Sequence, residues 1–323
     1  MEVSIYGTCF NNANVIRKSI ESITSQFDLN SETELIIVDN ESTDGTWDIL
    51  QDYNSKYKNI KLLRKHCTRG GGRRLAYDNT TGEYTFYIDL DTVYSPLLSK
   101  LIKQLREEYN GNKIMPFGFM DRSTMEKIGN WSDLNNAEDG ELEARAISKG
   151  ITLSTFPAMI FVNEITSGKR ELRFKKTRLS FKFVLRQYRM ARDGLIGRGM
   201  KDIDSIKKSY KGKAKIFMYI VYLTLKISGK RTKSYSEFSS NSELIQRNRI
   251  LLDPSKYNID KKYWIYAFST RFISSDAETR LVNTLFDYGF NKLEIFSNRS
   301  VIVYTNETSS EFIETTKNLL KTV

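Results

Sequence analysis

Strand-length apolar runs alternate with helix-spaced segments from the first residues onward, and each run ends on polar side chains. That alternation restricts the fold more than any other feature of the chain. Residues 3–10 run into Asn11-Asn12, residues 34–39 end in Asp39, and residues 83–89 end in Asp89, with Asp91 just beyond. Between the first two, Ile16, Ile20, Ile23 and Phe27 fall at helical spacing, with Asn12 or Asn14 as the expected cap. Residues 40–46 form a turn rich in capping side chains that opens a helix to about Tyr57. Ile60-Lys61-Leu62-Leu63 is a further strand, and Gly70-Gly71-Gly72 starts a short helix. Such a chain predicts an α/β fold with a parallel, doubly wound sheet and right-handed crossovers. Ligands bind such sheets beyond the carboxyl ends of the strands, where Thr8, Asp39, Asp89 and Asp91 stand.

Asp89 and Asp91 carry the most chemistry. On a strand, residues i and i+2 point to one side, so the two carboxylates share a face unless a turn splays them. Two hard oxygen donors suit Mg²⁺ or Mn²⁺, with a diphosphate completing the shell. Taken alone, an Asp-x-Asp pair is more often an acidic surface turn. Gly70-Gly71-Gly72 either lets backbone approach a phosphate, with Arg73 or Arg74 supplying charge, or is a flexible surface loop. His66 is the only histidine, which excludes a histidine-based triad and a histidine-rich metal site.

Composition narrows the class. At 323 residues, 40% hydrophobic and 28% charged, the chain reads as a soluble globular protein with one large domain and a smaller one. Two cysteines, Cys9 and Cys67, give no disulfide framework and fit a reducing, cytoplasmic compartment. The N-terminus reads straight into a strand, so no signal peptide is expected, and no apolar run approaches the roughly 20 residues of a membrane span. The net charge of +11 is unevenly spread: residues 169–233 carry 21 Lys/Arg against 4 Asp/Glu, or +17, leaving 11 − 17 = −6 elsewhere. A concentrated basic segment on an otherwise acidic chain implies an anionic partner: phosphates, nucleic acid or an anionic membrane face.

The stretches around residues 3–23, 34–50 and 69–92, taken in order, resemble glycosyltransferase family 2. Thr8 closes the first strand, and residues 38–46 stand where the family has V-D-D-x-S-T-D-x-T, with Asn40 in place of the second Asp. A Gly/Arg stretch then precedes Gly82-Glu83-Tyr84 and the Asp-x-Asp. The resemblance covers residues 3–165 and implies a GT-A catalytic domain, Rossmann-like with a mostly parallel sheet, over residues 1–168. It implies metal-dependent, inverting transfer from a nucleoside-diphosphate sugar, a UDP-sugar ahead of a GDP-sugar, with Mn²⁺ or Mg²⁺ as cofactor. Thr8, Phe10, Asn12, Asp39, Asn40, Ser42, Gly70, Arg73, Asp89 and Leu90 would then surround the donor. Asp39 would read the base, Asp89 the ribose or metal shell, and Asp91 would bind the metal.

The same resemblance expects an acidic pair opening a helix near the acceptor, and Glu138-Asp139-x-x-Leu142-x-x-Arg145 matches it. A carboxylate at a helix N-terminus is stabilised as an anion by the helix dipole, and on the residues alone a solvated cap reads as well. The resemblance makes Asp139 the base, with Glu138 beside it and Trp131 and Arg145 toward the acceptor. Trp131 either stacks on a sugar or packs inside.

Beyond the catalytic half lies a basic, partly amphipathic helical segment, residues 169–235. Gln187 is not followed by the R-W of the Q-x-x-R-W motif found in processive members of the family, so a non-processive enzyme is expected. Residues 216–225 are the most apolar run, buried or interfacial, with lysines before and after it. Residues 233–257 read as a polar, loop-like boundary. Residues 258–323 then give a small α/β domain of β-α-β-β-α order. Together these features favour a glycan or polyprenyl-phosphate-type acceptor and an enzyme peripheral on the cytoplasmic membrane face, with nucleic acid the less favoured partner. The competing reading is a non-catalytic basic binding protein for anionic membrane or nucleic acid on a transferase-like fold.

Overall fold

The computed structural model describes residues 1–163, 181–200, 203, 204, 206, 212–228, 233–235, 238, 240–270 and 275–321. The chain runs β1 (Val3–Cys9), α1 (Ile16–Thr24), β2 (Thr33–Asp39), α2 (Thr46–Lys56), β3 (Ile60–Arg64), α3 (Arg69–Asp78) and β4 (Tyr84–Asp89). A turn leads to β5 (Thr92–Tyr94) and α4 (Leu98–Glu107), then β6 (Lys113–Ile114), β7 (Met120–Asp121) and α5 (Arg122–Ile128). The first half closes with α6 (Glu138–Ser148), β8 (Thr152–Thr155) and β9 (Phe161–Asn163).

The main sheet has the order β3-β2-β1-β4-β7, parallel throughout except for β7 at its edge. The doubly wound reading is borne out. β2 is buried at every position, as a strand covered on both faces must be. Alternate residues feed two separate cores: Ile5, Leu35 and Ile37 pack with Ile16, Ile20 and Ile23 of α1, while Tyr6, Ile36 and Val38 pack with Ala76, Tyr77 and Trp131 on the other face. Each such buried aliphatic side chain contributes about 1.5–3 kcal/mol relative to exposure.

Two local expectations change. α1 carries no side-chain cap; the Asn12 backbone carbonyl accepts from Val15 and Ile16, while its side-chain amide reaches the Leu90 carbonyl at 3.2 Å. The triple glycine is a packed helix start and not a surface loop. Thr68 caps α3 by accepting from the Gly71 N–H at 2.9 Å. A Cβ on Gly70 would overlap the Ser132 carbonyl oxygen, and one on Gly72 would lie 2.6 Å from Thr8 Oγ1. These glycines let α3 press against β1 and the segment before α6.

The second half comprises α7 (Phe181–Gly197), α8 (Gly212–Ile227), α9 (Asn241–Asn248), β10 (Arg249–Leu251), β11 (Ile265–Ser269), α10 (Ser275–Asp287), β12 (Lys292–Ile295), β13 (Ser300–Tyr304) and α11 (Ser310–Lys321). The boundary expected at 168/169 and much of the basic segment lie outside the described residues. The stretch 233–257, expected as a loop, instead folds back onto the first half. Leu244 and Ile245 of α9 are buried in the core that holds Leu142 and Ala146 of α6, and β10 pairs in parallel with β8. Two of its polar residues are structural: Ser240 caps α9, and buried Asn241 donates to the Gly197 and Lys233 carbonyls at 2.8 and 2.7 Å.

The C-terminal β-α-β-β-α order is as expected, with an antiparallel sheet β11-β13-β12. Its core residues Trp264, Leu285, Phe290 and Val301 are continuous with Phe156 and Tyr257. This unit therefore packs on the first half and shares its core.

Candidate active site

β4 ends at Asp89, and Leu90-Asp91 turn the chain into β5. The strand stops at Asp89, two residues short of Asp91, so the two carboxylates stand on a turn and not on one strand face. The Asp89 N–H donates to the Tyr94 hydroxyl at 3.0 Å, and buried Leu90 offers its carbonyl to Asn12. The Asp89 side chain stays largely exposed and Asp91 half-buried, so the strand end presents carboxylate oxygen outward.

Arg73 joins this strand end to α6. Its Nη2 donates to Asp89 Oδ1 at 2.7 Å and its Nη1 to Glu138 Oε1 at 3.0 Å, while the guanidinium lies over the rings of Tyr87 and Trp131 at 4.7 and 4.9 Å. Burial by itself would lower the arginine's pKa; Asp89 and Glu138 outweigh it and hold the group charged. Burial pushes the Glu138 carboxyl up, against the pull of Arg73 and Arg69. Asn12 Oδ1, Arg73 Nε and Glu138 Oε2 are buried without hydrogen-bond partners.

Asp139 follows Glu138 at the start of α6. It is exposed, accepts from the Gly140 N–H at 2.8 Å, and lines a cleft of about 280 Å³ with Arg69, Asn136, Arg198 and Asn241. The Arg73 bridge thus links Asp89 at the strand end to Glu138, whose chain neighbour Asp139 lines this cleft. Among the described residues, no three or more His, Cys, Asp or Glu side chains gather into a metal site.

The β1 and β2 ends are interlocked by hydrogen bonds. Asn11 N–H donates to Ser42 Oγ at 2.9 Å, Thr43 N–H to Asn11 Oδ1 at 2.9 Å, and Asn12 N–H to Thr46 Oγ1 at 2.8 Å. Asp39, expected to face a ligand, is fully buried beneath them; its Oδ2 accepts from the Ser42 N–H at 3.0 Å and pairs with Arg64. Asn40 Oδ1 accepts from the Cys67 N–H at 2.8 Å, and Ser42 is also buried. Thr8 donates its hydroxyl to the Val38 carbonyl at 3.0 Å. Of the donor residues expected at these two strand ends, Thr8, Asn12, Asp39, Asn40 and Ser42 are buried or half-buried and form the wall of the site, while Phe10 is exposed.

Other expectations are corrected by packing. Gly70 donates its N–H to the Leu134 carbonyl at 2.8 Å and has none to offer a phosphate. Arg73 is a buried bridge and Arg74 is spent on the Trp131 carbonyl, so neither is a surface phosphate ligand. Trp131 is fully buried and donates to the Tyr6 hydroxyl at 3.0 Å, which leaves no face for a sugar. Arg145 pairs with Glu141 and donates to the Ile128 and Asn130 carbonyls at 3.0 and 2.7 Å, closing the end of α5. Arg69, Arg198 and Asn241 were not legible beforehand; no spacing links Arg198 or Asn241 to Asp139 in the chain.

A mostly parallel sheet in 3-2-1-4 order with an antiparallel edge, an Asp-x-Asp turn and a Glu-Asp helix start defines an α/β protein of the GT-A class. Residues 4–161 match the profile of Glycosyl transferase family 2, and this half of the chain belongs to that family. A poly(ribitol-phosphate) beta-glucosyltransferase of Bacillus spizizenii is 32% identical over 94 residues, 28% of this chain and 15% of that protein. A putative teichuronic acid biosynthesis glycosyltransferase, TuaG, of Bacillus subtilis is 31% identical over 129 residues, 39% of this chain and 49% of that protein. The chain thus spans less than half the length of either. Among solved structures, Staphylococcus aureus TarS 1–349 in complex with UDP-GlcNAc is 13% identical with a TM-score of 0.48, covering 95% of this chain and 98% of that one. A Pyrobaculum calidifontis mannosyltransferase with GDP-Man and Mn²⁺ is 16% identical with a TM-score of 0.45, covering 69% and 68%.

Proposed function

We propose that this chain moves a sugar from a nucleoside-diphosphate donor to an acceptor hydroxyl, with inversion and one sugar per encounter. The observation that carries this reading is the Arg73 bridge, which ties Asp89 at the end of β4 to Glu138 at the start of α6. Asp139 opens the cleft beside that bridge as an exposed carboxylate at a helix start. In the reaction it takes the acceptor proton as the oxygen attacks the anomeric carbon opposite the departing diphosphate. Glu138 holds Arg73, and Arg73 in turn orients Asp89.

Two hard carboxylates at one strand end fit a Mn²⁺ or Mg²⁺ ion whose remaining positions are filled by diphosphate oxygens. Asp91, with Asp89, would hold it, and once bound it offsets charge on the leaving diphosphate. Arg69 and Arg198 beside Asp139 favour an anionic acceptor, in keeping with the polymer named for the Bacillus spizizenii relative.

The test is thermal unfolding with UDP, GDP and dTDP, each with and without Mn²⁺. A ligand at a hundredfold excess over its Kd adds about 2.7 kcal/mol of apparent stability. One nucleotide raises the Tm only when the metal is present; no shift with any of them overturns the reading.

A further inference from the structure

Helix α8 is apolar all round and covered on one side only. Met218, Val221, Tyr222 and Leu225 are buried against a cluster that includes Leu134, Leu195 and Met200. Ile216, Ile220, Leu223 and Ile227 are 62%, 55%, 50% and 87% exposed. Successive steps of four, three and four residues set these side chains on a single stripe opposite the buried one. A helix apolar on every side belongs in a core, and here the outer half meets solvent. A contiguous stripe of large aliphatic side chains is the mark of a contact surface.

Charge identifies what it contacts. Lys213 heads the stripe one turn before Ile216, and exposed Lys226 stands at its other end. The surrounding segment, residues 169–233, carries 21 Lys/Arg against 4 Asp/Glu. α8 itself carries Lys213, Lys215 and Lys226 and no acidic residue, so a second copy would bring only positive charge to the interface and be repelled. An anionic bilayer satisfies both features, since acyl chains accept the aliphatic stripe and headgroups pair with the lysines, each worth about 1 kcal/mol near the surface. No helix among the described residues is long and apolar enough to cross a membrane. At 16 residues, α8 is about 24 Å long and suited to lie in the interface plane.

We infer that α8 docks this protein on an anionic membrane surface through the Ile216, Ile220, Leu223 and Ile227 stripe. The inference does not rest on the proposed transfer reaction. The buried face of α8 shares its cluster with Leu134, two residues before Asn136 in the cleft. Docking therefore holds the cleft in a defined orientation to the lipid.

The experiment is co-sedimentation of the full chain with vesicles of phosphatidylcholine alone and of equal parts phosphatidylcholine and phosphatidylglycerol. The chain pellets with the anionic vesicles only, and added salt releases it. The double variant Ile220→Ser/Leu223→Ser binds at least about tenfold more weakly with an unchanged Tm, because both side chains are already exposed. Lys213→Glu/Lys226→Glu weakens binding and reduces its salt dependence. Equal binding to both vesicle types, binding to neither, or full binding by the serine variant overturns the inference. So does a concentration-dependent dimer that the serine variant abolishes, which reassigns the stripe to self-association.

Discussion

Arg73 and Glu138 meet at 3.0 Å with only 3% and 1% of their side chains exposed, joining α3 to the first residue of α6. The pair is far apart in sequence, and the same guanidinium reaches Asp89 at 2.7 Å. One cation therefore positions carboxylates from two separate elements of the site.

Replacing Arg73 by Met leaves Glu138 buried without its partner. The expected cost is about 3–5 kcal/mol, measured as a lowered denaturation midpoint. Arg73→Lys keeps the charge but not the two-armed fork, and it falls between the two. A stability change within about 0.5 kcal/mol for Arg73→Met would place Arg73 at the surface instead.

Asp139→Asn and Asp91→Asn separate the two halves of the proposed reaction. Asp139→Asn lowers kcat by about 10²–10⁴ and leaves nucleotide stabilisation as it was. Asp91→Asn removes the metal-dependent part of the nucleotide shift. Calorimetric titration and turnover assays on the same preparations distinguish the patterns, and a fully active Asp139→Asn enzyme rules that residue out as base.

Trp131→Phe keeps an aromatic ring and deletes the N–H that Tyr6 accepts. It leaves a buried hydroxyl with one partner fewer, a cost of about 1–3 kcal/mol. The acceptor KM stays unchanged because the ring has no open face. A raised KM at wild-type stability would restore the stacking role.

Glu141 sets part of the acid limit of stability. Burial raises its pKa, but hydrogen bonds from Arg145, Ser132 and Tyr235 outweigh this and hold it below the ordinary 4.5. Its contribution is present above pH 4.5 and is lost as pH falls through the lowered folded value. Glu141→Gln therefore flattens the fall in unfolding free energy on the acid side of that pH. Denaturant midpoints measured across the acid range check this, and an unchanged slope contradicts it.

Much of the site was readable because its signals are local. Asp89 and Asp91 follow an apolar run, Glu138 and Asp139 open a helix, and both facts survive whatever the rest of the chain does. The glycine stretch starts a helix as its sequence suggests, but its close packing on Ser132 and Thr8 was not legible because those residues are distant along the chain. Residues 233–257 were misread because serines and asparagines serve caps and loops equally well, and only the burial of Leu244 and Ile245 tells them apart.

By itself the sequence determined the alternating β/α order, the strand ends at which acids gather, and the uneven charge. Those follow from periodicity and composition, which need no partner. Tertiary structure alone decided that Asp39 and Trp131 are walled in, that Arg73 is a bridge, and that α8 leaves one apolar face open. Burial and ion pairing are set by what closes over a residue, and in this chain the covering groups arrive from elements far away in sequence.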